Sequence, residues 1–181
     1  MSEKYLYALT VIGEDKPGIV AAVAEVLYEK HINIEDSVST LLGNQFTMTL
    51  LVKSSKNYGV LELKKAFAKA RGKLKLSVSL RRIEESELTT KQPQNLYSIS
   101  VYGADKVGIV YFVSKALAEH NINILDLRTR LTKSEKPMYV MILEVDVPDG
   151  ISENALNDII KDVCLKLDVD YSIRKIESYE L

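Results

Sequence analysis

The chain has 181 residues, with 24 Lys+Arg against 25 Asp+Glu, two His, one Cys and no Trp, which leaves room for one ordinary domain or two small ones. Its 46% hydrophobic and 27% charged content is that of a globular protein and not of a disordered tail, and a single cysteine excludes an internal disulfide or a CxxC metal or redox site. Apolar runs such as Leu50-Leu51-Val52 fall far short of the ~20 residues of a spanning helix. Met1-Ser2-Glu3-Lys4-Tyr5 also lacks the basic-then-apolar layout of a secretory leader, so the expected setting is the reducing cytoplasm, away from membranes.

In chain order, the first predicted strand runs from Tyr5 to Ile12, with Tyr7, Leu9 and Val11 on one face. The helix after it places Val20, Val23 and Leu27 on one stripe, with Ile19 and Ala24 beside it, and Pro17 suits its first turn, where a missing N–H costs nothing. Ile32-Asn33-Ile34 opens a strand that turns at Gly43-Asn44, and Phe46 to Lys53 returns antiparallel to it. A second helix is expected over Val60 to Arg71, with Val60, Leu63 and Phe67 inward and Gly72 as its C-terminal cap. The last strand, Lys73 to Ile83, alternates as Leu74, Leu76, Val78 and Leu80.

The same plan then repeats. Tyr7 to Leu42 aligns without a gap on Tyr97 to Thr132, with 16 of 36 positions identical at an offset of 90. The identities include Gly13/Gly103, Asp15/Asp105, Lys16/Lys106, Gly18/Gly108, Asn33/Asn123, Ile34/Ile124 and Asp36/Asp126. Beyond a three-residue insertion in the Lys133–Pro137 turn the offset is 93, pairing Phe46, Met48, Leu50 and Val52 with Tyr139, Met141, Leu143 and Val145. The second helix of the second copy starts after Ser152 as N-cap and is expected to bury Leu156, Ile159, Val163 and Leu167. Glu84 to Asn95 is polar, contains Pro93 and lacks an apolar period. The reading is therefore an α+β protein with two ferredoxin-like βαββαβ domains in tandem, residues 1–83 and 96–181, joined by a linker over 84–95.

Charge differs between the parts: residues 1–83 carry 13 basic and 8 acidic side chains, and residues 96–181 carry 10 and 14. No overall basic field speaks for direct nucleic-acid binding.

The Gly-x-Asp-Lys-x-Gly-Ile-Val loop and the Ile-Asn-Ile-x-Asp strand entry, each present twice, resemble the ACT domain, a regulatory module that commonly binds amino acids. The tandem pair, with NIEDSVSTLLGNQFTMTLLV in its first copy, resembles the glycine cleavage system transcriptional repressor family. The resemblance implies a non-enzymatic regulator that senses an amino acid such as glycine, forms a homo-oligomer, and acts on transcription through a DNA-binding protein partner. It places ligand contacts at Asp15, Lys16, Pro17, Gly18, Ile19, Asn33, Ile34 and Asp36, and in the second copy at Asp105, Gly108, Ile109, Asn123 and Asp126. Two departures stand out: Lys16 where Arg is usual, and Val107 where Pro is expected, which makes the second loop the less faithful site.

The residues themselves allow this chemistry. A helix N-terminus offers free N–H groups to a carboxylate, Gly18 and Gly108 let backbone come close to a ligand, Asp15 or Asp36 can accept from an ammonium, and Asn33 both donates and accepts. Each also has a plain structural reading: Asp15 as a helix cap, Gly18 as a point of close helix–strand packing, Asn33 as a turn former. A ligand-independent assembly module is the alternative these readings leave open.

Elsewhere, His31 and His120 read as polar helix-end residues and Cys164 as a small core residue. Lys64, Lys65, Lys69, Arg71, Lys73 and Lys75 read as a solvated face first, a surface for an acidic protein second and for nucleic acid third. Tyr111-Phe112, where the first copy has Ala21-Ala22, reads as a contact between copies or chains, or as core. Small residues on the outward face of the first strands (Ala8, Thr10, Ser98, Ser100) suggest that sheets approach one another. Gly-x-Ser-x-Gly, Walker A and Rossmann patterns are absent, and no residues are assigned to catalysis, a cofactor or a metal.

Overall fold

A computed structural model describes residues 4–88, 93–133 and 137–176. The chain divides into two compact units, 1–90 and 91–181. Residues 89–92 of the expected linker, and 134–136 of the expected insertion turn, lie outside the described residues.

In the first unit β1 (Tyr5–Glu14) leads into helix α1 (Ile19–Glu29), then to the hairpin β2 (Asn33–Leu42) and β3 (Gln45–Ser54). Helices α2 (Val60–Ala66) and α3 (Ala68–Leu74) follow, and β4 (Ser77–Ile83) closes the unit. The second unit repeats the order as β5 (Leu96–Gly103), α4 (Ile109–Glu119), β6 (Asn123–Leu131), β7 (Tyr139–Asp146), α5 (Glu153–Leu167) and β8 (Asp170–Lys175). The sheets run β2-β3-β1-β4 and β6-β7-β5-β8, antiparallel throughout. This is the tandem ferredoxin-like arrangement expected from the repeat.

Alternation puts Tyr7, Leu9 and Val11 of β1, Met48, Leu50 and Val52 of β3, and Val78 and Leu80 of β4 into one core with the helices. The second core repeats this with Ile99, Val101, Met141, Leu143 and Val145. Tyr7 is fully buried, and its hydroxyl donates to the Tyr58 carbonyl and accepts from the Tyr58 N–H, both at 2.9 Å, which satisfies three polar groups inside the core.

Several local expectations are corrected. Pro17 lies in the turn before α1, not in its first turn, because Gly18 is the N-cap. Val20 is 49% exposed; the buried stripe is Ile19, Val23, Val26 and Leu27, the i, i+4, i+7, i+8 set that faces the sheet once the helix starts at Ile19. The second helix of the first unit breaks at Phe67 (φ −80°, ψ 0°) and continues through Gly72 to Leu74, whose side chain packs on the core. The strand after it therefore begins at Ser77, not at Lys73. In α5 the deepest stripe is Leu156, Ile160 and Cys164, with Ile159, Val163 and Leu167 half-buried beside it. A 3₁₀ turn occupies Glu85–Leu88 at the start of the segment expected to be the linker.

The helix ends share one device. His31, Lys75, Asn121 and Asp168 all have φ between 52° and 56°, and the next residue returns its N–H to the helix: Ile32 to Leu27, Leu76 to Arg71, Ile122 to Leu117 and Val169 to Cys164, at 2.9–3.1 Å. These are six-to-one closures of the Schellman type, with an apolar residue following the left-handed one. None of the four left-handed positions is glycine.

Candidate functional site

The turn from β1 to α1 is built by local bonds. The Asp15 N–H donates to the Asn44 carbonyl at 3.0 Å, tying the turn to the tip of the β2–β3 hairpin. Asn44 Nδ2 donates to Glu14 Oε1 at 3.3 Å, and Lys16 Nζ lies 2.7 Å from Glu14 Oε2. The Lys16 ammonium, by hydrogen bond and by charge, holds the Glu14 carboxyl below its ordinary range, helped by Asn44 and by the charge of Lys75. Gly18 then takes φ 96°, ψ −3° as the α1 N-cap. No side chain caps α1, and its first turn holds no acidic residue, so the partial positive charge at that end has no side-chain anion set against it. Asp15, Lys16, Pro17, Gly18, Ile19, Val20, Ala21 and Phe46 line an open depression of about 540 Å³ there.

Gly18 is not a point of close helix–strand packing, one of the two readings its sequence allows. A Cβ built on it meets nothing within 4 Å, so neither close packing nor crowding requires glycine; the positive φ does. Nor does Asp15 cap the helix: its backbone N–H, not its side chain, makes the bond to the hairpin.

The second loop keeps the backbone and changes the chemistry. Gly108 sits at φ 103° and α4 is likewise uncapped. Position 104 is alanine where the first unit has Glu14, and Lys106 turns to the end of α5, donating to the Leu167 carbonyl (2.8 Å), the Asp168 carbonyl (3.2 Å) and Asp168 Oδ2 (3.0 Å). A cation on the carbonyl end of a helix is well placed, and it is tethered there. Val107 is fully exposed, Ile109 is buried, and a Cβ on Gly108 would stand 3.0 Å from Phe112 Cε2. Tyr139, in the position of Phe46, has its hydroxyl pKa raised by burial and by the charge of Asp105, against a hydrogen bond from Thr129.

Asn33, Ile34 and Asp36 lie elsewhere. Asn33 pairs with Lys53, whereas Glu14 pairs with Gln45. The eight residue steps of β3 from one rung to the other span ~27 Å. One zwitterion therefore does not reach both groups of a single unit, against the expectation that loop and strand entry grip opposite ends of one molecule. Asn33 Nδ2 is engaged with Glu35 Oε1 (2.9 Å), which Lys53 also approaches on its other oxygen (3.2 Å), and Asp36 Oδ1 accepts from the Ser37 N–H (2.7 Å). The register slips between Ile34 and Asp36, and again between Ile124 and Asp126, so the repeated Ile-Asn-Ile-x-Asp motif coincides with a β-bulge in both units. In the second unit Asn123 and Ile124 line a depression of about 460 Å³ with Tyr111 and Ser114, and Asp126 pairs with Arg128 at 2.9 Å.

Phe46 was missed as a site residue. Its signal lies in the repeat: Phe46 opposes Gly13 and Tyr139 opposes Gly103 in the two hairpins, so an aromatic stands beside each loop. Among the described residues no group of acidic, His and Cys side chains is placed to hold a metal, and no helix is long and apolar enough to cross a membrane.

Duplicated βαββαβ units with a glycine-capped turn after the first strand define an ACT-type protein. A family model for the ACT domain matches residues 7–81, and a UPF0237 protein of Clostridium acetobutylicum is 40% identical over 73 residues, 40% of this chain and 81% of that protein. The chain belongs to the ACT-domain family. Over nearly its full length it is similar to the glycine cleavage system transcriptional repressor of Escherichia coli, 24% identical over 183 residues, covering 97% of this chain and 93% of that one. Among solved structures, an unknown protein from Galdieria sulphuraria superposes with TM-score 0.79 at 25% identity, covering 97% of this chain and all of that one. A chain described as a candidate glycine cleavage system transcriptional repressor superposes with TM-score 0.76 at 19% identity, over 98% of this chain and all of that one, a likeness of fold.

Proposed function

We propose that this protein is a non-enzymatic regulator that binds a free amino acid, such as glycine, at the β1–α1 turn of its first unit and modulates transcription through a protein partner. The observation that carries the reading is the open depression at the uncapped α1 N-terminus. It offers backbone N–H groups to a carboxylate and the exposed Asp15 carboxylate to an ammonium. Full-length similarity to a transcriptional repressor supports the regulatory part. The second loop is the weaker binder, because Lys106 is held by α5 and Val107 replaces the proline. Asn33 and Asp36 of the first unit do not contact this ligand, given their place at the far end of the sheet. A ligand shifts association or partner binding only through a difference in its affinity for the two states.

Calorimetry of the full chain against glycine and the other amino acids is the test, with a charge-neutral D15N variant beside the wild type. The expected result is saturable binding of at least one amino acid, weakened by D15N, with thermal stabilisation of ~2.7 kcal/mol at a hundredfold excess over Kd. If no amino acid binds at millimolar concentration, the loops are structural and the ligand-independent assembly module is the correct reading.

A further inference from the structure

The two units carry opposite charge on one equivalent surface. Helices α2–α3 and α5 correspond at an offset of 93: Leu63 and Leu156 are both fully buried, as are Phe67 and Ile160, and Lys75 and Asp168 are both left-handed helix ends. On that frame Lys65 corresponds to Asp158 and Lys69 to Asp162, and all four side chains are exposed. None of the four takes part in an ion pair among the described residues. Residues 60–75 carry six basic side chains against one acidic, and residues 153–168 carry two against four. The fold does not ask for this reversal, since the same core supports either sign.

Volume is reversed on the neighbouring helix. Ala21 and Ala22 of α1 border an open hollow of about 660 Å³ that reaches Tyr28 and Lys73. At the same positions α4 carries Tyr111 and Phe112, 58% and 48% exposed and packed edge to face at 5.0 Å. They are therefore not core residues, the other reading their sequence allows.

We infer that the helical face of the first unit docks on the helical face of the second unit of another copy of this chain. Lys65 and Lys69 meet Asp162 and Asp158, and the α4 aromatics meet the α1 hollow. The occupant follows from the complementarity itself: the equivalent helical surface with the charge sign reversed exists on the chain. A contact between unlike faces closes into a dimer when two copies make it reciprocally about a twofold axis. A net charge of only −1 does not oppose self-association.

The test is sedimentation or light scattering of the full chain at 20.3 kDa per copy, with charge-swapped variants. Wild type is expected to be a dimer at low ionic strength, with Kd rising roughly tenfold or more between 0.05 and 0.5 M salt as the pairs are screened. K65E/K69E sets carboxylates at the paired positions of both faces and D158K/D162K sets ammonium groups at both, so each alone is expected to be a monomer while an equimolar mixture recovers the dimer. The quadruple swap is expected to dimerise by itself, which separates a lost contact from a lost fold. A wild type that stays monomeric at low salt, either double variant remaining dimeric, or a mixture that does not associate would each overturn the inference. A monomeric wild type whose Lys65 and Lys69 retard a DNA duplex would assign the basic face to nucleic acid instead.

Discussion

Replacing each loop glycine by alanine separates what the conformation demands from what the neighbours demand. Gly18 and Gly108 stand at φ 96° and 103°, a region that L-residues enter at a cost of ~1–2 kcal/mol. Around Gly18 an added Cβ meets nothing within 4 Å, so Gly18→Ala is expected to destabilise the first unit by about 1–2 kcal/mol, all of it conformational. Around Gly108 the Cβ would lie 3.0 Å from Phe112 Cε2 and 3.2 Å from Cδ2. That ring is half exposed and yields by leaving its rotamer, which adds about 0.5–1.5 kcal/mol. In a Phe112→Ala background the excess should vanish and the two glycines become equivalent. Urea and thermal unfolding of the full chain, followed by far-UV circular dichroism, read this as a midpoint drop of ~4–8 °C per kcal/mol for a unit of this size. A Gly18→Ala chain within about 0.5 kcal/mol of wild type would refute the conformational argument. An excess at Gly108 that survives Phe112→Ala would refute the steric one.

Tyr7→Phe removes both bonds to Tyr58 and leaves a buried N–H and carbonyl unsatisfied, so denaturant unfolding should show a loss of ~1–3 kcal/mol. Lys75→Gly relieves a left-handed non-glycine residue that is exposed to solvent, and the same measurement should show a gain of about 0.5–1 kcal/mol. Lys106→Met should cost more than Lys16→Met, about 1 kcal/mol, because Lys106 holds the end of α5 while Lys16 meets only an exposed carboxylate. Burial pushes the Cys164 thiol up to about 11, with Asp170 adding to it. In the folded chain it should not react with a thiol reagent at pH 8 and should do so fully in urea. Since the folded pKa lies above the unfolded one, the folded state binds the extra proton, and stability should fall as pH rises from about 9 to 11; an alkaline unfolding series that stays flat for wild type, or falls equally for Cys164→Ala, would exclude the effect.

Much of the architecture was decided by the order of residues alone. Alternation at period two marks Tyr7, Leu9 and Val11 whatever surrounds them, the helical stripe follows from spacing, and the repeat shows that one plan is used twice. The β1–α1 turn was legible for the same reason, since Asp15 to Ile19 are neighbours in the chain and neighbours around the depression. The grouping of Asn33 and Asp36 with that turn came from sequence motif, and pairing undid it: the hairpin sends β3 back past β1, and the rung on which each residue stands fixes a separation that spacing along the chain does not contain. The break at Phe67 and the left-handed ends at His31, Lys75, Asn121 and Asp168 carry no glycine or proline to announce them, because core packing and the returning N–H bonds hold them in place. The different fates of Lys16 and Lys106 were likewise invisible in two nearly identical loops. What each lysine meets, Glu14 in one unit and the end of α5 in the other, depends on side chains brought together only by the tertiary fold.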